Sequence, residues 1–590
     1  MKNKILFFIF FAVCGLVSCK KYLNETPTAS FGEDYVFGSV GNAKAAVLGV
    51  YNRLTGDLSY GGRLSYYFAS DNDETLGTVN NGVGGGDNAT KAIARYNATP
   101  LNVELDRVYN QMFQGVERAN ICIKAIPQMN LYTNGTDDQK RELKRLHGEA
   151  LTLRAQFYFD LMKHWGDVPA AFEPSTDEAS FLIGKTNRDE IYDHIIADLK
   201  TAEDLVPWRG DPGVTADERI TKGAVKALRA RLALFRGGYS LRADTRKMER
   251  RPDFLKYYQI ARDECKEIMD AKRHALNTSY QAVFKDNMDA HRIEPNGEVL
   301  FEIAMAGGDG NSDGRVGYID GIQVNKKGSG NIIIMPTYFY AFDSLDVRRD
   351  VTIASYAIDG NGYKFAYQNA GFVGLLLAKF RRDWISNPVV LPTSDAAYFG
   401  INWPLIRYSD VLLMFAEADN EINNGPTAEA IQAFKDVRGR AFNGDLSKIG
   451  IIPSDKQGFF TSIVNERSFE LGGEAIRKYD LIRWNLLYDK ILQTRANLEK
   501  MRTKQAPYAS LPQIMYFKQS SPDLIYANSY YQPTPAKIPV GYVSANWIRT
   551  LGLDYIKMVA EVFEPNKKEL LPLSKAVIDA NPKLKQDYGY

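Results

Sequence analysis

Apolar positions three and four apart dominate two long tracts of the chain, and between them the period is lost. The densest run is residues 148–169, GEALTLRAQFYFDLMKHWGDVP. Leu143, Leu146, Ala150, Leu153, Phe157 and Leu161 form one stripe at helical spacing, and Leu151, Ala155, Tyr158 and Met162 form a second on the adjoining face. A helix apolar on two faces must be covered from two sides, as the inner members of stacked helix pairs are. Thr136 with Gln139 three residues on spells a capping box, Gly166 frees the chain to turn, and Pro169 bars further helix.

The first helical tract also holds segments at 41–54, 105–126 and 189–206, and one capped by Thr221 and closed by Gly237-Gly238. The second holds 407–422, with Ser409 as N-cap, then 428–440, 459–471, 475–484 and 489–501. No clean repeat of roughly 34 residues is present, so the pattern predicts degenerate antiparallel helix pairs. Residues 59–99 form a long loop rich in Gly and Asn, and loops of that length are often functional. Residues 284–405 are irregular, with a strand-like alternation at 298–306 and a short apolar run at 332–335. Residues 506–547 read as loop.

The first 18 residues stand apart. Lys2 and Lys4 precede an apolar run too short to span a membrane, and the segment ends in Leu16-Val17-Ser18-Cys19. This reads as a lipoprotein signal peptide, 1–18, with Cys19 lipidated and 19–35 an extended tether. The 590 residues carry 73 basic and 71 acidic side chains. Losing Lys2 and Lys4 leaves 71 of each, so the mature chain is neutral and lacks the footprint of a nucleic-acid binder. No other run nears the roughly 20 apolar residues of a membrane helix. The anchor is therefore lipid, and the protein does not span. Cys122 and Cys265, each on a predicted helix, are expected to be free buried thiols, although one disulfide stays open.

Several ordered motifs resemble those of the RagB/SusD family of outer-membrane nutrient-uptake lipoproteins. Ala46, Gly49 and Tyr51 match its opening, and 148–169 its GEA…LRA…W-GDVP helix. Arg407-Tyr408, Asp410 and Ala416-Glu417-Ala418 match a third motif. Glu466-Arg467, Glu470-Leu471, Arg477, Asp480-Leu481 and Arg483-Trp484 match a fourth. Leu571-Pro572, Asn581-Pro582 and Gly589-Tyr590 match the close. Where the family has F-E-G, this chain has Gly473-Glu474-Ala475, a departure expected to touch local packing only. The resemblance implies a mainly α fold: a tetratricopeptide-like helical base, a large loop-rich region and a few short strands. The domain expected is 36–590, with helical parts at 36–275 and 406–590 around the loop-rich 284–405. It also implies a glycan ligand, a SusC-like TonB-dependent transporter as partner, and no enzymatic activity. An exported glycosidase, or a helical scaffold binding only protein, stays open from the residues alone.

Local chemistry adds little support for catalysis. The five histidines form no HxxxH or HExxH pair, and neither GxSxG nor GxxxxGK[ST] occurs. Glu466 and Glu470 lie one turn apart, but arginines nearby predict ion pairs and not an acid–base couple. The same holds for Asp410 near Arg407. NNGVGGGD, 80–87, lacks the strand and helix of a dinucleotide loop. Residues 309–320, DGNSDGRVGYID, follow the calcium-loop order, with Asp309, Asn311 and Asp313 as side-chain donors, Arg315 as carbonyl donor and Asp320 closing. A polar loop tip is the competing reading. A sugar site needs aromatic faces beside amides and carboxylates. The polar loops offer Tyr96, Asn97, Tyr318 and Trp384 as candidate glycan contacts.

Overall fold

The computed structural model describes residues 32–77, 89–176, 182–214, 218–305, 308, 310–367, 371–386 and 397–590. The predicted leader, Cys19, most of the tether, residues 80–87 and Asp309 lie outside the described residues.

The helical base runs α1 (Val40–Tyr51), α2 (Val103–Ala125), α3 (Asp137–Trp165), α4 (Arg188–Leu205), α5 (Lys222–Arg236) and α6 (Phe254–Ala271). It continues with α7 (Tyr408–Ile422), α8 (Ala428–Arg440), α9 (Lys456–Leu471), α10 (Arg477–Arg483) and α11 (Leu487–Arg502). From α2 to α8 each helix packs on the next in this order, and α1 lies across α2 and α3. These are the tetratricopeptide-like stacked pairs that the apolar spacing requires. The helix α6 closes against α7, so more than a hundred residues of loop-rich chain leave and return between two packed neighbours.

Both predicted stripes of α3 are buried, and from Gly148 to Trp165 every residue except Lys163 is. Its capping box is complete: Gln139 N–H donates to Thr136 Oγ1 at 3.3 Å, and Thr136 N–H to Gln139 Oε1 at 2.9 Å. Gly166 has φ +76°, and a Cβ there would stand 2.4 Å from both the Arg188 guanidinium and the Tyr588 hydroxyl. The C-terminal tail thus seats on the end of α3, where Trp165 Nε1 donates to the Pro572 carbonyl at 3.1 Å. Cys122 and Cys265 are free and buried. Among the described residues no helix is long and apolar enough to cross a membrane.

Besides two short hairpins, Ser240–Leu241 with Met248–Glu249 and Tyr356–Ile358 with Lys364–Ala366, the strands are β1 (Thr75–Leu76), β2 (Val299–Ile303), β3 (Ile333–Ile334), β4 (Ile353–Ala354), β5 (Leu376–Leu377), β6 (Trp403–Arg407), β7 (Ile514–Lys518) and β8 (Tyr542–Asn546). β1, β3, β5 and β4 pair in that order, β2 pairs with β6, and β7 with β8, all antiparallel. The β7–β8 hairpin lies in a stretch whose sequence reads as loop.

The pairing of β2 with β6 sets Glu298 beside Arg407, and a buried charge network forms there. Arg407 donates to Glu298, Glu470 and Glu474, Arg440 to Glu298 and Glu470, and Arg348 to Asp346, Glu466 and Glu470. Lys379 bonds Glu474 at 2.6 Å, and Arg438 bonds Glu466 at 2.9 Å. The expected ion pairing of Glu466 and Glu470 is therefore present, with partners remote in sequence. Two details differ from the local reading. Asp410 pairs with Arg231 and Arg467 and not with Arg407. The N-cap of α7 is Arg407, and Ser409 is buried inside the helix. Glu474, in the motif that departs from the family pattern, belongs to this network and does more than local packing.

Candidate functional site

The loop after α1 and the loop beyond β2 are stapled together by their backbones. Asp57 N–H donates to the Gly310 carbonyl at 2.9 Å, and Arg315 N–H to the Gly61 carbonyl at 2.7 Å. The contact needs glycine on both sides, because a Cβ on Gly314 would stand 2.2 Å from the Gly61 Cα. This junction carries side chains to one polar, aromatic patch. Arg315 Nη2 is 3.1 Å from Asp57 Oδ2 and 3.1 Å from the Tyr398 hydroxyl, which itself donates to Asp57 Oδ2 at 3.0 Å. The Arg315 guanidinium lies 5.5 Å from the centre of the Tyr398 ring. Burial pushes the Asp57 carboxyl above its usual range, against the pull of Arg315 and Tyr398.

A π-helical turn, Arg63–Tyr67, follows. It turns Tyr66 inward, edge-on to Trp403 at 5.6 Å, and leaves Tyr67 half-buried with its phenol bonded by Asn331. Arg63 Nε is held by Glu104 at 2.9 Å. Tyr318 is half-buried too, and its carbonyl accepts from the backbone and hydroxyl of Ser329, two residues before Asn331. Two half-exposed tyrosines, Tyr67 and Tyr398, thus share a patch with an arginine whose side chain is 42% exposed, and Tyr318 lies three residues beyond that arginine on the same loop. The sequence offers Tyr318 as a glycan contact and Arg315 only as a carbonyl donor of the calcium-like loop, and it does not single out Asp57, Arg63, Tyr67, Asn331 or Tyr398. Gly61 and Gly314, one on each loop, are the sequence signal of the close backbone approach.

Two of the expected glycan contacts are in the core. Tyr96 is 5% exposed, its hydroxyl donates to the Asp71 carbonyl at 2.6 Å, Phe563 meets the ring edge-on, and the Lys478 ammonium sits 4.1 Å from its centre. No face remains for a sugar. Trp384 is 9% exposed and covered by the Arg381 guanidinium at 4.3 Å. A polar loop put both where their neighbours fold over them. Asn97 is half-buried beside Tyr96, away from the patch, so the four candidates do not converge.

The calcium-like loop has other work. Asp313 is fully buried, its two oxygens accepting the N–H groups of Gly314 at 2.6 Å and Gly400 at 3.0 Å. Asp320 Oδ1 accepts the Gly317 N–H at 2.8 Å, and burial pushes its carboxyl up to about 7. The Asn311 side chain is exposed, and Arg315 gives its guanidinium to the patch. The loop is therefore pinned by its own acids, in keeping with the polar-turn reading. Among the described residues, the acids close enough to share a cation are Glu203, Glu264 and Glu267, and the Lys226 ammonium already occupies their centre at 2.6–2.9 Å.

Asp320 gives a test in pH. Its folded pKa lies above the unfolded value of about 3.9, so its contribution to stability is present below that value and lost as pH rises through about 7. Asp320→Asn keeps an acceptor for Gly317 and carries no charge. Relative to wild type it should be near neutral at pH 4 and stabilising by on the order of 1–2 kcal/mol at pH 8. Thermal melts at the two values, with calcium and with chelator, check this. A variant no more stable than wild type at pH 8, or a calcium-dependent rise in the wild-type midpoint, contradicts it.

Comparison with known proteins places the chain in a family. Residues 347–590 match the model described as the SusD family, and residues 68–234 match the one described as starch-binding associating with outer membrane. A SusD-like protein of Formosa agariphila is 25% identical over 576 residues, covering 89% of this chain and 98% of its own. A SusD homolog from Bacteroides thetaiotaomicron superposes with a TM-score of 0.75 at 22% identity, over 94% of this chain and 98% of its own. Surface glycan-binding protein A from Bacteroides fluxus superposes at 0.63 with 20% identity, over 93% and 99%. With one family's models matching both helical tracts and the stacked-pair fold shared end to end, the chain belongs to the SusD/RagB family.

Proposed function

We propose that the protein is a lipid-anchored glycan-binding protein of the outer membrane, without turnover, that passes its ligand to a SusC-like TonB-dependent transporter. The observation that carries the binding role is the junction of two remote loops, which sets Tyr67 and Tyr398 beside Asp57, Arg315 and Asn331, with Tyr318 three residues along from Arg315 on the same loop. Aromatic rings offer flat apolar faces to sugar C–H groups, and the fixed polar atoms address hydroxyls. The relative named for surface glycan binding shares the fold. An acid–base couple gains no support from Glu466 and Glu470, since each is held by arginines. A glycan microarray probed with the chain from residue 20 onward should retain one class of glycan, released unchanged. Retention of none supports the scaffold reading, and cleavage by pure protein supports the enzyme reading.

The anchor rests on Leu16-Val17-Ser18-Cys19. Cys19→Ala should move the protein from the membrane fraction to the soluble exported fraction. From native membranes of the wild type, a tagged pull-down should recover a TonB-dependent receptor. Membrane retention of the variant together with absence of acyl label on wild type would end the lipid proposal, and recovery of no receptor would end the partner proposal.

A further inference from the structure

A second cleft, of about 420 Å³, opens where three remote segments meet. They are the turn of the Ser240–Leu241/Met248–Glu249 hairpin, the junction of α10 and α11, and the loop at 565–569. None of its lining residues belongs to the two-loop patch. Its volume lies within the roughly 300–1,000 Å³ of small-ligand sites, whereas the apolar hollow beside Tyr51 holds about 120 Å³.

The walls are fixed by local chemistry. Glu569 accepts the N–H groups of Asn566 at 3.0 Å and Lys567 at 2.9 Å, which shapes the loop, and Asn566 Oδ1 accepts the Met248 N–H at 3.1 Å, which ties loop to hairpin. Asn485 turns the chain between helices with φ +57°, a conformation asparagine tolerates. Tyr488 is 41% exposed, and its ring is stacked at 29° on Phe563, which in turn packs on buried Tyr96. Its apolar lining is Ile482 and Leu487, both part of the cluster built around Leu481 and Trp484. A tyrosine held rigidly from behind therefore lines the cleft. Around it stand the Asn485 amide and the exposed side chains of Lys247 and Asp489, neither of which has an ion-pair partner among the described residues.

One aromatic platform with an amide, a carboxylate and an ammonium on its rim matches a pyranose ring, whose C–H face stacks and whose edge hydroxyls both donate and accept. We propose that this cleft is a second carbohydrate subsite, taking one sugar ring against Tyr488 with its hydroxyls on Asn485, Asp489 and Lys247. It deepens the glycan-binding reading, on which it rests: two subsites on different elements would let one long chain be held at two points, raising avidity without new contacts at either.

Hydrogen–deuterium exchange on the full mature chain, with the oligosaccharide that the microarray retains, separates the two sites. The subsite predicts added protection at 485–489 and 565–569 as well as at 315–331. Tyr488→Ala should abolish the first two and weaken overall binding about tenfold, whereas Tyr488→Phe, which keeps the ring and its contact with Phe563, should retain both, and both variants should stay folded at the assay temperature. Tyr318→Ala should abolish protection at 315–331 only. Protection confined to 315–331, or affinity unchanged in Tyr488→Ala, overturns the cleft and retains the patch. Protection confined to the cleft retains the cleft and overturns the patch. A microarray on which nothing is retained overturns both.

Discussion

Arg407→Ala is expected to cost about 3–5 kcal/mol of stability, the order found when one member of a buried ion network is removed. Arg407 is 1% exposed and makes five hydrogen bonds, to Glu298, to both oxygens of Glu474, and to the side chain and carbonyl of Glu470. Five basic groups, Arg348, Lys379, Arg407, Arg438 and Arg440, face five acids, Asp346, Glu298, Glu466, Glu470 and Glu474. The truncation leaves five acids with four cations around a centre, Arg348, Lys379, Glu298 and Glu470, that is fully buried. Arg407→Lys should rescue little, because one ammonium cannot span three carboxylates as a planar guanidinium does. The network has a pH signature. Burial would raise the Glu470 carboxyl, but Arg440, Arg407 and Arg348 hold it well below the usual carboxylate range. A depressed folded pKa contributes stability above the unfolded value of about 4.3, lost as pH falls below it. Urea titrations at pH 7 and pH 3.5 should therefore show the variant's deficit shrinking in acid. An alanine variant with the wild-type midpoint at pH 7 would contradict this account of the network.

Phe157→Ala is expected to cost a similar amount, about 3–5 kcal/mol, through the cavity it opens between α2 and α3. Phe157 is fully buried and lies over Gly115, where a Cβ would stand 2.4 Å from the ring. The pair predicts a change of sign. Gly115→Ala in wild type forces the ring aside and should destabilise. In the Phe157→Ala background the same methyl enters free space and gains the roughly 1 kcal/mol of helix propensity that alanine has over glycine. A double-mutant cycle on the urea midpoint reads the coupling. Additive effects would mean that the two helices do not meet through this pair.

The helices were legible because their signals are local. The apolar stripes of α3, the capping box at Thr136 and Gln139, and the glycine at 166 all act within a turn or two. Arg407 shows the limit. Its sequence neighbour Asp410 suggested a pair, while its true partners are more than sixty residues away and are selected by the β2–β6 pairing. The β7–β8 hairpin escaped because no tight turn joins its strands, whose connection is long and rich in Pro and Ser. At the candidate site the sequence could name tyrosines in polar loops, but burial is a tertiary property. Tyr96 was folded under Lys478 and Phe563, whereas Tyr398 surfaced beside Arg315.

The glycan-binding patch is tested most directly by calorimetry of the wild type, Tyr318→Ala and Tyr398→Ala with the array-retained oligosaccharide. Each loss of a ring should weaken binding by about 1–3 kcal/mol, by analogy with base stacking on aromatic side chains, with the melting midpoint within a degree or two of wild type. Affinity unchanged in both variants would contradict the assignment of the ligand surface to the junction of the two loops.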